Sequence, residues 1–235
     1  VIVTGGAGFI GSALVRHLLA DTDAFVVNVD KLTYAANPLT LDVFAGNDRH
    51  RFVQADICDR DAMAKLFAEV DPDVTIHLAA ESHVDRSIST NVQGTYSLLE
   101  AATRQAGRRG DQPAPRFVAV STDEVYGSLG DEGRFDEDSA YRPNSPYAAT
   151  KAAADHLARA WHTTYGLETI VTNASNNYGP YQFPEKLIPR TILRGLQGKT
   201  LEVYGEGTNV RDWIHVDDHA RALWIAANDG VPGHT

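Results

Sequence analysis

Two short runs of residues carry the clearest capacity for chemistry. Phe117-Val118-Ala119-Val120 is apolar, and Ser121-Thr122-Asp123-Glu124 follows at once, within a stretch spanning residues 116–127. An apolar run of that length reads as a buried strand of a parallel sheet, and in open α/β sheets the carboxyl ends of strands line the ligand crevice. A hydroxyl and two adjacent carboxylates thus stand where chemistry is expected. The second run is Tyr147-Ala148-Ala149-Thr150-Lys151. Four residues apart on a helix, the phenol and the ammonium share a face, and the ammonium favours the phenolate, so a lowered tyrosine pKa is expected. Each run alone has an ordinary explanation as a solvated acidic turn or an exposed helix pair. Their meaning depends on the elements around them.

Those elements begin with a strand at residues 1–4, followed by Gly5-Gly6-Ala7-Gly8-Phe9-Ile10-Gly11-Ser12 and a helical pattern through Leu14, Val15, Leu18 and Leu19. Gly6, Gly8 and Gly11 fit G-x-G-x-x-G between a strand and a helix. Such a turn lets backbone approach a pyrophosphate at a helix N-terminus. A second strand, residues 24–30, ends in Asp30, about 20 residues past the glycines, where an acid bonds a ribose 2′-hydroxyl and repels a 2′-phosphate. NAD is therefore expected rather than NADP. A polar connection with some helical character covers residues 31–47. A third strand, 51–54, leads to Asp56-Ile57, read as a contact for the adenine edge, and Asp59 caps a helix over 60–69. A fourth strand, 74–78, ends in Ala79-Ala80, small enough for a dinucleotide to lie against backbone, then Glu81-Ser82-His83. No second histidine stands at ligand spacing to His83, so it is read as a polar substrate contact and no metal is expected. A helix is expected over 90–106, a surface loop over 107–115 and another over 128–142.

Asn144-Ser145-Pro146 starts the helix of Tyr147, and residues 168–173 form a sixth strand. Beyond it, residues 176–184 read as a turn-rich aromatic segment, 186–196 as a helix, 201–204 and 211–214 as short strands, and 216–227 as an amphipathic helix. Basic side chains slightly outnumber acidic ones over 183–215, which makes Lys186 and Arg211 candidates for docking a phosphate-bearing substrate. The fold class is α/β, a Rossmann-type doubly wound parallel sheet. The expected division is a dinucleotide-binding domain over 1–175 and the start of a smaller substrate domain over 176–235, part of which returns to the core. The chain opens inside a strand and ends without a cap, so it is expected to be part of a longer protein.

Composition narrows the alternatives. The 235 residues, 43% hydrophobic and 22% charged, suit a globular protein with a sizeable core. A net charge of −10 disfavours nonspecific nucleic-acid and anionic-membrane partners. Cys58 is the single cysteine, so no internal disulfide forms and a reducing, cytoplasmic setting is expected. No apolar run reaches the ~20 residues of a membrane-spanning helix.

Taken together these residues resemble the extended short-chain dehydrogenase/reductase superfamily, and more closely the dTDP-glucose 4,6-dehydratases. Gly5 to Ser12, Asp30 and Tyr147-x-x-x-Lys151 carry the wider resemblance. Residues 30–35, 81–87, 121–127, 176–189 and 209–213 carry the narrower one. The resemblance implies Tyr147 as base, Lys151 as its tuner, Thr122 as the hydroxyl holding sugar O4, and Asp123 and Glu124 as the dehydration pair. It implies NAD contacts from Gly5, Gly8, Phe9, Ile10, Gly11, Asp30, Lys31, Thr33, Asp56, Ile57, Leu78, Ala79, Ala80, Ser82, Thr90, Tyr147, Lys151 and Asn177. For a dTDP-sugar it implies Ser82, His83, Thr122, Asn176, Glu185, Lys186, Leu187, Tyr204 and Arg211. A homodimer through the helices at 90–106 and 147–165 is likewise implied. The chain departs from the pattern after Ser87, where only Ile88 and Ser89 precede Thr90. The rival readings are a sugar-nucleotide epimerase or decarboxylase on the same fold, which has no use for the Asp123–Glu124 pair, and a non-catalytic NAD-binding protein, which has no use for Tyr147 and Lys151 either.

Overall fold

Short β-branched runs alternating with helices make a parallel sheet covered on both faces. The computed structural model, which describes residues 1–82, 87–129, 133–203 and 205–234, contains one six-stranded sheet. Its strands are β1 (Ile2–Thr4), β2 (Val26–Asp30), β3 (His50–Gln54), β4 (Val74–His77), β5 (Arg116–Thr122) and β6 (Glu168–Ala174). They lie in the order β3-β2-β1-β4-β5-β6, every neighbouring pair parallel. This is the doubly wound Rossmann order, and its switch point falls between β1 and β4.

Alternate strand residues feed two cores, as a period of two requires. On one face Val3, Ile76, Val118 and Ile170 meet Leu14 and Leu18 of α1 (Phe9–Asp21) and Val216, Ala220 and Leu223 of α7 (Val216–Asp229). On the other, Ile2, Val27, Phe117, Ala119 and Val171 meet α3 (Arg60–Val70), α4 (Thr95–Ala106) and α5 (Pro146–Tyr165) through Met63, Phe67, Leu98, Leu99 and Ala158. The remaining elements are the single turn α2 (Leu39–Asp42), α6 (Leu187–Leu196), and a two-stranded parallel sheet of β7 (Asn176–Tyr178) and β8 (Trp213–His215).

Local chemistry sets the helix starts. The Asp59 carboxylate accepts the Ala62 N–H at 3.0 Å, and the Ser145 hydroxyl accepts the Ala148 N–H at 3.0 Å with Pro146 in the first turn. Three expectations fail. The helix expected from Thr90 is entered through a π-helical stretch, Ile88–Gly94, before α4 begins. There buried Asn91 is turned inward, donating to Glu81 O at 3.0 Å and Thr150 Oγ1 at 2.9 Å and accepting the Glu81 N–H at 2.8 Å, bonds that offset the poorer π geometry. The turn-rich segment at 176–184 opens with a strand, because Asn176–Tyr178 find partners in Trp213–His215, and the strand expected at 211–214 shifts accordingly. The strand expected at 201–204 is absent over Leu201–Val203, which pair with no other strand, and Tyr204 lies outside the described residues.

Candidate active site

The glycine turn joins β1 to α1 under tight constraint. Gly5 adopts φ +74°, and a Cβ on Gly11 would stand 2.1 Å from the Gly5 carbonyl oxygen. Only glycine keeps this turn closed. Helix α1 has neither a side-chain cap nor an acid in its first turn, so the N–H groups around Phe9, Ile10 and Gly11 and the positive end of the dipole face outward. A cavity of about 280 Å³ opens beside them. It is lined by Gly5, Gly8, Asp30, Lys31, Thr33, Asp56, Ile57, Leu78, Ala79, Ala80 and Thr90, together with Glu81 and Ser89, which sequence reading passed over.

Asp30 Oδ2 accepts the Ala7 N–H at 3.0 Å and Oδ1 the Leu32 N–H at 2.8 Å, which fixes the carboxylate at the cavity wall with lone pairs to spare. Burial pushes its pKa up, against the pull of those backbone N–H groups. Lys31 is ion-paired to Asp56. A glycine-rich turn, an uncapped helix N-terminus and an acid at the end of β2 together fit a dinucleotide. Besides Tyr147 and Lys151, which belong to the acid–base cluster, Ser82 and Asn177 are expected NAD contacts that stand apart from this cavity. Ser82 is exposed and does not line it, and the Asn177 side chain in β7 is engaged by His219 Nδ1 at 2.8 Å and by Ser175 O at 3.0 Å.

The acid–base cluster forms where β5 ends. Thr122 caps a 3₁₀ turn, Asp123–Tyr126, its Oγ1 accepting the Glu124 N–H at 3.3 Å. Asp123 and Glu124 both have raised pKa values. Burial is the main cause for each, and for Glu124 the neighbouring Asp123 charge adds to it. Arg211 opposes the shift in both, and Lys186 does so in Glu124, so the charges of the two predicted phosphate-docking cations are felt at the carboxylate pair. Of the other cations in that region, Arg190 and Arg194 are both paired to Glu202. Glu185 stands 3.8 Å from Lys186, and Leu187 is exposed. His83 and Tyr204 lie outside the described residues.

Tyr147 corrects an expectation. Its pKa is raised to about 12, not lowered, because burial disfavours the phenolate and the charges of Glu124, Asp155 and Asp123 add to that effect. Lys151 does not offset this. It is 6% exposed, and its Nζ donates to the Val120 carbonyl at 2.6 Å. Sequence reading also missed what lies behind the pair. Asp155, one helical turn beyond Lys151, is 1% exposed and accepts hydrogen bonds from Ser121 Oγ at 2.6 Å and Tyr141 OH at 3.2 Å. The spacing Tyr147, Lys151, Asp155 was the signal available. A separate cavity of about 1080 Å³ runs along β6 and touches the cluster at Asp123.

The model of the NAD dependent epimerase/dehydratase family matches residues 1–235. The chain belongs to that family. A probable dTDP-glucose 4,6-dehydratase of Sinorhizobium fredii is 57% identical over 243 residues, covering 99% of this chain and 69% of the relative. The solved dTDP-glucose 4,6-dehydratase of Bacillus anthracis, in complex with NAD, superposes with a TM-score of 0.93 at 44% identity, covering 99% of this chain and 73% of that one. The enzyme of the same name from Streptomyces venezuelae, with NAD and TYD bound, gives 0.90 at 48% identity, with the same two coverages. Among the described residues no helix is long and apolar enough to cross a membrane.

Proposed function

We propose that this chain is an NAD-dependent dTDP-glucose 4,6-dehydratase, a hydro-lyase that converts dTDP-glucose to dTDP-4-keto-6-deoxyglucose. The observation that carries this reading is the adjacent Asp123–Glu124 pair that follows Thr122 at the end of β5, both carboxyls pushed up in pKa against the opposing charge of Arg211. Interconverting a 4-hydroxyl needs only the tyrosine and lysine, whereas elimination across C5 and C6 needs an acid and a base as well.

The glycine turn, Asp30 and the walls of the adjoining cavity would hold NAD, which would supply a hydride acceptor for sugar C4 and a hydride donor for C6. Thr122 holds O4 while Tyr147 takes the proton from that hydroxyl. The 4-ketone acidifies the C5 proton, which Glu124 removes and gives back to C5 when hydride reaches C6, while Asp123 protonates the departing 6-oxygen, so that water leaves. The raised pKa of Asp123 favours its protonated form, the direction that a proton donor needs. Protonation of Asp123 also removes one of the charges that oppose the Tyr147 phenolate. Lys186 and Arg211 meet the diphosphate, with Ser82, His83, Asn176, Glu185, Leu187 and Tyr204 around the remainder of the substrate.

The deciding experiment uses dTDP-glucose deuterated at C4. Deuterium at C6 of a 4-keto-6-deoxy product is the expected result; label back at C4 with inverted configuration would make the protein an epimerase. A homodimer through α4 and α5 goes with this reading. It is supported by an aromatic surface in which Tyr96 stacks edge-on with Trp161 at 5.5 Å and Trp161 meets the exposed Tyr165 at 5.4 Å. A cytoplasmic setting goes with it too, supported by the one unpaired cysteine, Cys58.

A further inference from the structure

The Tyr147–Lys151 pair needs a charged lysine, and the site is hostile to that charge. Lys151 is 6% exposed, and its direct bond is to a neutral acceptor, the Val120 carbonyl. Burying an ammonium disfavours its charged form unless a counter-charge stands close. One helical turn along α5, Asp155 is more deeply buried still, and its Oδ2 is held by Ser121 from β5 and Tyr141 from the preceding loop. We propose that Asp155 is a positioning residue for the oxidation step, the buried counter-charge that keeps Lys151 an ammonium and locks α5 against the end of β5. This extends the dehydratase reading and rests on its assignment of Tyr147 and Lys151.

The surrounding groups are consistent with that role. The Lys151 charge pulls the Asp155 pKa down and Asp155 pulls that of Lys151 up, each against its own burial. From β4, His77 faces Lys151 and is pushed down to about 3 by burial and by that same charge, so it adds no positive charge at neutral pH. Tyr126 and Tyr141, on the loop side, are pushed up and stay neutral. His156 is a weaker partner of Asp155. Toward the substrate, Asp155 acts with Glu124 and Asp123 to oppose the Tyr147 phenolate. Removing Asp155 therefore has two effects of one sign. Lys151 loses its proton at lower pH, and Tyr147 loses its proton at lower pH.

The test is the pH profile of cofactor reduction on mixing the NAD-loaded enzyme with dTDP-glucose, in the parent and in Asp155→Asn. Both limbs should move to lower pH in the variant. Above its new alkaline limb the deficit should grow about tenfold per pH unit. Asp155→Glu, which restores the charge, should bring the alkaline limb back toward the parent. A uniform drop at every pH, or an unmoved profile, would overturn the proposal. A second readout needs no activity. Thermal melts at pH 7 of Lys151→Met, Asp155→Asn and the double variant should show the double variant melting above Asp155→Asn, since the lone buried charge is gone. This arm decides the matter if Asp155→Asn does not fold. A double variant that loses the sum of the two single losses, or does not fold when Lys151→Met does, would overturn it. Failure of the dehydratase reading is visible separately, as a parent enzyme that reduces its cofactor but makes no 6-deoxy product.

Discussion

At the scale of single residues, the site works by pushing proton affinities in chosen directions. Tyr147 at about 12 keeps its proton in the ligand-free protein, against about 10 for a free tyrosine. Spectroscopic titration should therefore find several late-ionising tyrosines, Tyr126 and Tyr141 among them, and one fewer in Tyr147→Phe; an unchanged curve would contradict the assignment. Tyr147→Phe should also slow sugar oxidation ~10²–10⁴-fold while leaving NAD affinity nearly unchanged. Asp123→Asn and Glu124→Gln should separate the two halves of the reaction. Each should still oxidise C4, so that reduced cofactor accumulates, and each should slow loss of the C6 oxygen by a similar factor. Unchanged dehydration in both would remove the pair from the mechanism. Asp30 is held by the Ala7 and Leu32 N–H groups at the cavity wall. Asp30→Ala should weaken NAD binding and relax the bias against NADP, read by titrating each nucleotide; tighter NADP than NAD binding in the parent would defeat the argument.

At the scale of elements, position follows from two joints, the β5 end and the start of α5. Ser145 caps α5 less than two turns before Lys151, and its hydroxyl is the sole side-chain cap of that helix. Ser145→Ala should cost about 1 kcal/mol, lowering Tm by roughly 2–4 °C in a chain of this size. A melt unchanged within error would show that Pro146 alone fixes the start. These joints were legible in the sequence because their signals are local. A glycine turn between strand and helix, an acid ending β2, a cap before proline and a four-residue Tyr–Lys spacing each need only neighbouring residues. What could not be read was set by distant partners. β7 exists because Trp213–His215 lie alongside Asn176–Tyr178, and the π-helical entry to α4 depends on Asn91 reaching Glu81 and Thr150. The direction of the Tyr147 shift was misread for the same reason. The i, i+4 lysine was visible, whereas burial and the carboxylates of Glu124 and Asp155 arrive from the fold.

At the scale of the whole molecule, the switch point between β1 and β4 gathers the cofactor residues at one sheet edge, and the core beneath it is not purely apolar. His77 sits on β4, 3% exposed, between Thr4 and Thr95. The Thr95 hydroxyl donates to Asn91 O, so His77 donates from Nε2 to Thr95 Oγ1 and accepts the Thr4 hydroxyl at Nδ1. This bridge between β1, β4 and α4 requires the neutral ring, and burial pushes the His77 pKa down to about 3. In the unfolded chain the same ring titrates near 6.5. Between those values the unfolded state binds the extra proton, so this contribution to stability is complete above about pH 6.5 and falls as pH drops toward 3. The loss is about 1.4 kcal/mol per pH unit, or about 2 kcal/mol at pH 5. His219, pushed down to about 4, acts in the same direction. The raised carboxyls of Asp30, Asp123, Glu124 and Asp155 act oppositely, since the folded state holds their protons longer. The parent's net slope is therefore a difference, and the informative quantity is the change made by one substitution. His77→Gln retains hydrogen-bonding capacity toward both threonines and cannot be charged. It should be less stable than the parent at pH 7, where the imidazole fits best, and its stability should fall less steeply between pH 6 and 4, by about one proton's worth. Urea unfolding at pH 7, 6, 5 and 4 measures both slopes. Parallel lines for parent and variant would mean that the folded protein protonates His77 as readily as the unfolded chain does, and that the buried ring is not what sets the acid limit of the fold.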